Sequence, residues 1–139
     1  QIAQDHPIDG FTITGGDPLY QADDLQQLIT LLKNISDDIL GYTGYSIEEL
    51  DMKQLEGVSV LIDGEYIEHR NTNCVLRGSD NQRIHILDQE LKKKYCNYLG
   101  TAKNQIQNFM TSDGVISVGI HKPNFINELN NAVSGKGLV

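Results

Sequence analysis

Thr12-Ile13-Thr14-Gly15-Gly16-Asp17-Pro18-Leu19 reads as the end of a short strand running into a paired-glycine turn, with one carboxylate just past the glycines. Two adjacent glycines remove both Cβ atoms, so a ligand can approach the main chain closely and φ can turn positive at little cost. Asp17 contributes a fixed negative charge, and Pro18 stiffens the exit into the next element. A loop of this kind at the carboxyl end of a strand suits a ligand with a cationic ammonium group.

Working outward, Ile8 to Thr14 is expected to be the strand that ends in this loop. Ala22 to Ile35 places Leu25, Leu28, Ile29, Leu31 and Leu32 near the 3.6-residue period of an amphipathic helix. Asp38 to Thr43 reads as a second strand. Ser46-Ile47-Glu48-Glu49 carries the capping-box pattern that opens a second helix, with Glu48 and Glu49 on its surface. Val58 to Ile62 is an apolar run suited to a buried strand, and Gln82 to Leu87 alternates as a fourth. Strands alternating with helices predict an α/β fold with a mostly parallel sheet and crossover helices. Ligands in such sheets lie beyond the carboxyl ends of the strands. Gly15-Gly16-Asp17, Thr43-Gly44 and Asp63-Gly64 each follow a strand at that end, and together they define a binding rim.

Beyond Asp88 the pattern predicts helices over Gln89–Leu99 and Ala102–Met110, a strand over Val115–Ile120 and a helix over Asn124–Val133. The sequence from Ser134 to Gly137 is expected to fray. We divide the chain into a core of residues 1–88 and a C-terminal α/β extension of residues 89–139 packed on the same domain.

Composition narrows the function classes. With 11 basic against 19 acidic residues the net charge is −8, which argues against a nucleic-acid binder, whose affinity rests on neutralising phosphates. The one basic cluster, Lys92-Lys93-Lys94, reads as a solvated helix face. No apolar run approaches the ~20 residues of a membrane-spanning helix. Cys74 and Cys96 are separated by 21 residues and the four histidines are scattered, so no metal site and no general acid–base constellation is read from these residues.

Four motifs carry a resemblance in order and spacing: Gly15-Gly16-Asp17-Pro18; Gly41-Tyr42-Thr43-Gly44-Tyr45 followed by Glu48-Glu49-Leu50; Leu61-Ile62-Asp63-Gly64-Glu65-Tyr66; and Arg77-Gly78-Ser79-Asp80-Asn81-Gln82. Over roughly residues 8–88 the chain resembles radical S-adenosylmethionine (SAM) enzymes, in particular the activating enzymes of anaerobic ribonucleoside-triphosphate reductase. The resemblance implies part of a radical SAM (β/α) barrel. It also implies that Gly15, Gly16, Asp17 and Pro18 hold the methionyl amino group of SAM, and that Thr43 meets its ribose or carboxylate. Asp63 either orients the ligand or fixes its loop. Arg77 either pairs with the SAM carboxylate or braces its own turn.

The family's chemistry needs a [4Fe–4S] cluster on a Cys-x-x-x-Cys-x-x-Cys motif, and residues 1–139 contain none. Since the chain starts at Gln1, we expect that motif and a first strand upstream, and the chain alone is expected to be inactive. The implied function is reductive cleavage of SAM to a 5′-deoxyadenosyl radical that activates a glycyl-radical enzyme, the anaerobic ribonucleotide reductase large subunit. The cofactors are then SAM and a [4Fe–4S] cluster not ligated by this chain. The electron donor would be a flavodoxin or ferredoxin, the setting cytoplasmic, and nucleic acid and membrane would not be partners. The alternatives are a non-catalytic protein-binding module descended from this fold and an activator of a different glycyl-radical enzyme.

Overall fold

The computed structural model describes residues 5–135; of the segment expected to fray, Ser134 and Gly135 instead close the last helix, and Lys136 and Gly137 lie outside the described residues. The elements in chain order are β1 (Phe11–Ile13), α1 (Ala22–Leu32), β2 (Ile39–Tyr42), β3 (Val60–Asp63), β4 (Arg83–Ile86), α2 (Lys92–Thr101), β5 (Gln107–Thr111), β6 (Gly114–Val118) and α3 (Phe125–Gly135). The first four strands form a mixed sheet in the order β1-β2-β3-β4. β1 and β2 are parallel, β2 and β3 are parallel, and β4 returns antiparallel to β3.

Why the central strands are apolar runs is clear from the layering. α1 covers one face of the sheet, where Leu25 and Ile29 pack with Ile39, Leu55, Val58 and Leu61. α2 covers the other, where Tyr95 packs with Leu40, Val60 and Ile62. A strand buried on both faces has no polar side to show. α2 is also tied down by a polar cluster around the buried Asp38: the Tyr95 hydroxyl donates to it at 2.6 Å, and Lys94 Nζ, on an exposed side chain, reaches the other oxygen of the same carboxylate at 2.5 Å. Burial first, then the bond to Asp38, pushes the Tyr95 hydroxyl well above the ordinary tyrosine range.

Two expectations need correction. The segment opened by Ser46 is not a helix but two 3₁₀ turns, Ile47–Glu49 and Met52–Leu55. Both begin with a capping box, Ser46 with Glu49 and Asp51 with Gln54. Between them Leu50 is extended, so the second cap restarts the chain before the first turn can propagate. The connection between β2 and β3 therefore has no α-helix, and the described sheet is open. The predicted helix over Ala102–Met110 is also absent. α2 stops at Thr101, and β5 pairs with β6 as a separate antiparallel hairpin around Ser112-Asp113. Asn104 donates to the Cys74 carbonyl at 2.7 Å, which draws this stretch out of helical geometry. The hairpin leaves Phe109, Met110, Ile116 and Val118 exposed.

Gly57 follows the second 3₁₀ turn at φ +85°, and a Cβ there would lie 2.6 Å from Cγ2 of the buried Ile29. Gly57→Ala is expected to cost about 2–4 kcal/mol, combining left-handed backbone strain with overpacking. Urea denaturation measures this directly, and an unchanged midpoint would contradict the packing described.

Candidate functional site

The carboxyl ends of β1, β2 and β3 meet through side chains rather than by proximity alone. Asp17 caps the 3₁₀ turn Pro18–Gln21 by accepting from the Leu19 N–H at 3.1 Å. Its other oxygen accepts from the Thr43 hydroxyl at 2.8 Å and from the Gly44 N–H at 2.7 Å. The loop after β1 is thereby latched to the loop after β2. The Gly64 N–H in turn donates to the Tyr45 carbonyl at 3.0 Å, which joins the loop after β3 to the same segment.

Gly15, at φ +121°, and Gly16 have no atoms within 4 Å of the position a Cβ would take, so the main chain just before Asp17 is open to a ligand. A carboxylate presents about four lone-pair sites. The Thr43 hydroxyl also lies 3.1 Å from the oxygen that caps Leu19, but Leu19, Thr43 and Gly44 bring only three donor hydrogens to about four sites, which leaves room for a donor from outside. Pro18 starts the capped turn and holds Asp17 at its N-terminus.

Asp63 sits elsewhere in this arrangement. Its side chain is 0% exposed, with the Ile47 N–H at 2.7 Å, Arg83 Nε at 3.1 Å and His85 Nε2 at 3.1 Å. The Arg83 Nη2 also bonds to it. Burial alone would raise the Asp63 carboxyl, but Arg83, the Ile47 N–H and His85 overcome that and hold it below its ordinary value. Asp63 fixes the loops behind the rim and presents no surface to a ligand. Glu48, expected to be helix surface, is the second partner of Arg83: Nη1 and Nη2 meet its two oxygens at 2.8 and 2.6 Å. That fork, aided by local main-chain donation, brings the exposed Glu48 carboxyl down to about 2.

The Arg77–Gln82 motif folds back on itself. Arg77 Nη1 donates to the Gln82 carbonyl at 3.1 Å, and Gln82 Oε1 accepts from the Gly78 N–H at 2.8 Å. Gln82 Nε2 then donates to the Gly64 carbonyl at 2.8 Å, and Asn81 to the Glu65 carbonyl at 2.8 Å. All four sequence motifs are thus joined in series by hydrogen bonds. Arg77 Nε is buried without a partner. Just before it, Leu76 holds φ 62°, a conformation unusual for its type, with the Tyr42 hydroxyl bonded to its carbonyl at 2.5 Å. Burial, with Tyr98 adding to it, pushes that hydroxyl up to about 12. Tyr42 is therefore committed to this bond, while Tyr45 meets Tyr20 edge-on with ring centroids 5.8 Å apart.

The cysteines do not fit an iron–sulfur cluster. Cys74 is half-buried with its sulfur 3.1 Å from the Thr72 hydroxyl, and Cys96 is exposed on α2. Among the described residues no group of three or more His, Cys, Asp or Glu side chains is placed to hold a metal ion. No helix among them is long and apolar enough to cross a membrane.

Sequence comparison locates relatives of this rim. The family model described as a 4Fe-4S single cluster domain matches residues 1–85. The anaerobic ribonucleoside-triphosphate reductase-activating protein of Enterobacteria phage T4 is 40% identical over 82 residues, which cover 55% of this chain and 53% of the relative. The protein of the same name from Haemophilus influenzae is 39% identical over 85 residues, 55% of this chain and 54% of its own. That of Escherichia coli K12 is 32% identical over 87 residues, 56% of each. The chain spans about half the length of the curated relatives it matches. No solved structure matches it significantly.

Proposed function

Because the chain belongs to the 4Fe-4S single cluster domain family, we propose that it forms the SAM-gripping part of an activating protein for anaerobic ribonucleoside-triphosphate reductase. In this reading the protein cleaves SAM reductively, and the 5′-deoxyadenosyl radical takes hydrogen from a glycine of the reductase. A flavodoxin or ferredoxin supplies the electron. The cluster's ligands are not among these residues, so the role of this chain is binding, orientation and exclusion of water. The open sheet would then be one part of a radical SAM barrel, with residues 89–139 packed against it.

The observation that carries the reading is the latch at Asp17. A half-buried carboxylate, pre-oriented by Thr43, Gly44 and Leu19, keeps one acceptor position beside an open glycine main chain. That is the arrangement an α-ammonium group needs, because charge-assisted bonds to a fixed carboxylate are the strong ones.

The test is anaerobic reconstitution with iron and sulfide of the protein carrying whatever coding sequence precedes Gln1. We expect SAM binding and, on reduction, release of 5′-deoxyadenosine. A reconstituted cluster with neither SAM binding nor deoxyadenosine would reject the reading. SAM turnover with no radical on the reductase would point to a different glycyl-radical partner.

A further inference from the structure

We infer that Arg83 is a positioning residue for the ligand rim, acting through Asp63 and Glu48 without touching the ligand. The inference rests on the reading that this rim binds SAM. Its basis is geometric. Asp63 and Arg83 are directly opposed in the β3–β4 register, so the backbone places a guanidinium against a fully buried carboxylate. The same guanidinium reaches outward to Glu48 with its two terminal nitrogens.

Both carboxylates act on one short segment. Asp63 accepts from the main chain of Ile47, and Glu48 is the next residue. Three residues before Ile47, the Gly44 N–H holds Asp17, and between them the Tyr45 carbonyl holds Gly64. Residues 43–48 therefore form a strap with Asp17 at one end and Arg83 at the other. A planar fork is required at that end, because one point charge cannot meet Asp63 and both oxygens of Glu48 together. Without Arg83 the buried Asp63 carboxylate keeps only Ile47 and His85 as partners, and its grip on the strap weakens. Slack in the strap reaches Asp17 through Gly44.

The experiment uses Arg83→Gln, Arg83→Lys and Glu48→Gln in the reconstituted protein. It reads SAM affinity by calorimetry, amide exchange at Gly44 and Ile47 by NMR, and the urea midpoint. We expect Arg83→Gln to weaken SAM binding roughly 5- to 50-fold, the scale of coupling through a packed network. Exchange at Gly44 should accelerate roughly tenfold as the strap opens locally. Arg83→Lys should recover part of both. Glu48→Gln alters an exposed side chain, so it should leave the urea midpoint nearly unchanged while still speeding Gly44 exchange.

Wild-type exchange at Gly44 in both Arg83→Gln and Glu48→Gln would overturn the inference. So would SAM affinity that falls only in step with the urea midpoint. If the wild-type protein binds no SAM, the functional reading fails instead, and the exchange rates still decide whether Arg83 governs Gly44.

Discussion

Asp63→Asn is expected to lower the unfolding free energy by about 2–4 kcal/mol. The carboxylate is fully buried, and three groups converge on it: Arg83, His85 and the Ile47 N–H. Asparagine keeps the shape but turns one acceptor into a donor that faces other donors. Breaking a wholly buried pair typically costs about 3–5 kcal/mol. The value here is set lower because Arg83 is 47% exposed and retains Glu48. The effect also has a pH signature. Asp63 is held below its ordinary 3.8. Groups with depressed folded values bind fewer protons in the native state, so their stabilisation is complete above the unfolded values and lost as pH falls. The wild-type urea midpoint should therefore drop as pH falls below about 3.8, and Asp63→Asn should flatten that drop. Equal slopes for the two proteins would mean that Asp63 carries no ion-pair stabilisation.

How much of this was legible in the sequence depends on the range of the interactions involved. Strands β1 to β4 were readable because each is a short apolar or alternating run, and the helix over Ala22 was readable from its period. The rim was also readable, since a glycine or carboxylate directly after each strand needs only local sequence. The Ser46 capping box was correctly seen and wrongly extended, because a cap marks where a turn begins and not how far it runs. Asp51 restarts the chain five residues later, with its side chain accepting from Lys53 at 3.0 Å. The hairpin was missed for a related reason. The pattern over residues 102–110 suits a helix locally, and what decides their path is Asn104 reaching Cys74, 30 residues away. The same limit hid Arg83 and Glu48, which are 35 residues apart. Each looks like an ordinary surface charge until the β3–β4 register and the turn after Ser46 bring them together. Asp63 stood out in the sequence for its position beside Gly64 at the end of β3, but only its burial assigns it to the support of the loops.

If the rim holds SAM as proposed, Asp17→Asn is expected to weaken that binding roughly 10- to 100-fold, the worth of one charge-assisted hydrogen bond. The substitution separates two roles that the wild-type side chain performs together. As a latch, Asp17 accepts from Leu19, Thr43 and Gly44. Asparagine is as good a helix cap as aspartate, so the turn at Pro18–Gln21 should survive. Its single oxygen can keep either the Leu19 bond or the Thr43 and Gly44 bonds. The resulting stability loss should be about 1–2 kcal/mol, since Asp17 is only half-buried and water can reach the freed donors. As a ligand for an ammonium group, however, asparagine has lost the charge altogether. Affinity should therefore fall well beyond what loosening of the latch explains. Calorimetry of SAM binding beside a urea titration of the same preparation distinguishes the roles. A loss in affinity no larger than that of Thr43→Val, which removes one latch donor and leaves the charge, would make Asp17 a clasp between β1 and β2. The ammonium group of SAM would then have to find its anionic partner elsewhere on the rim.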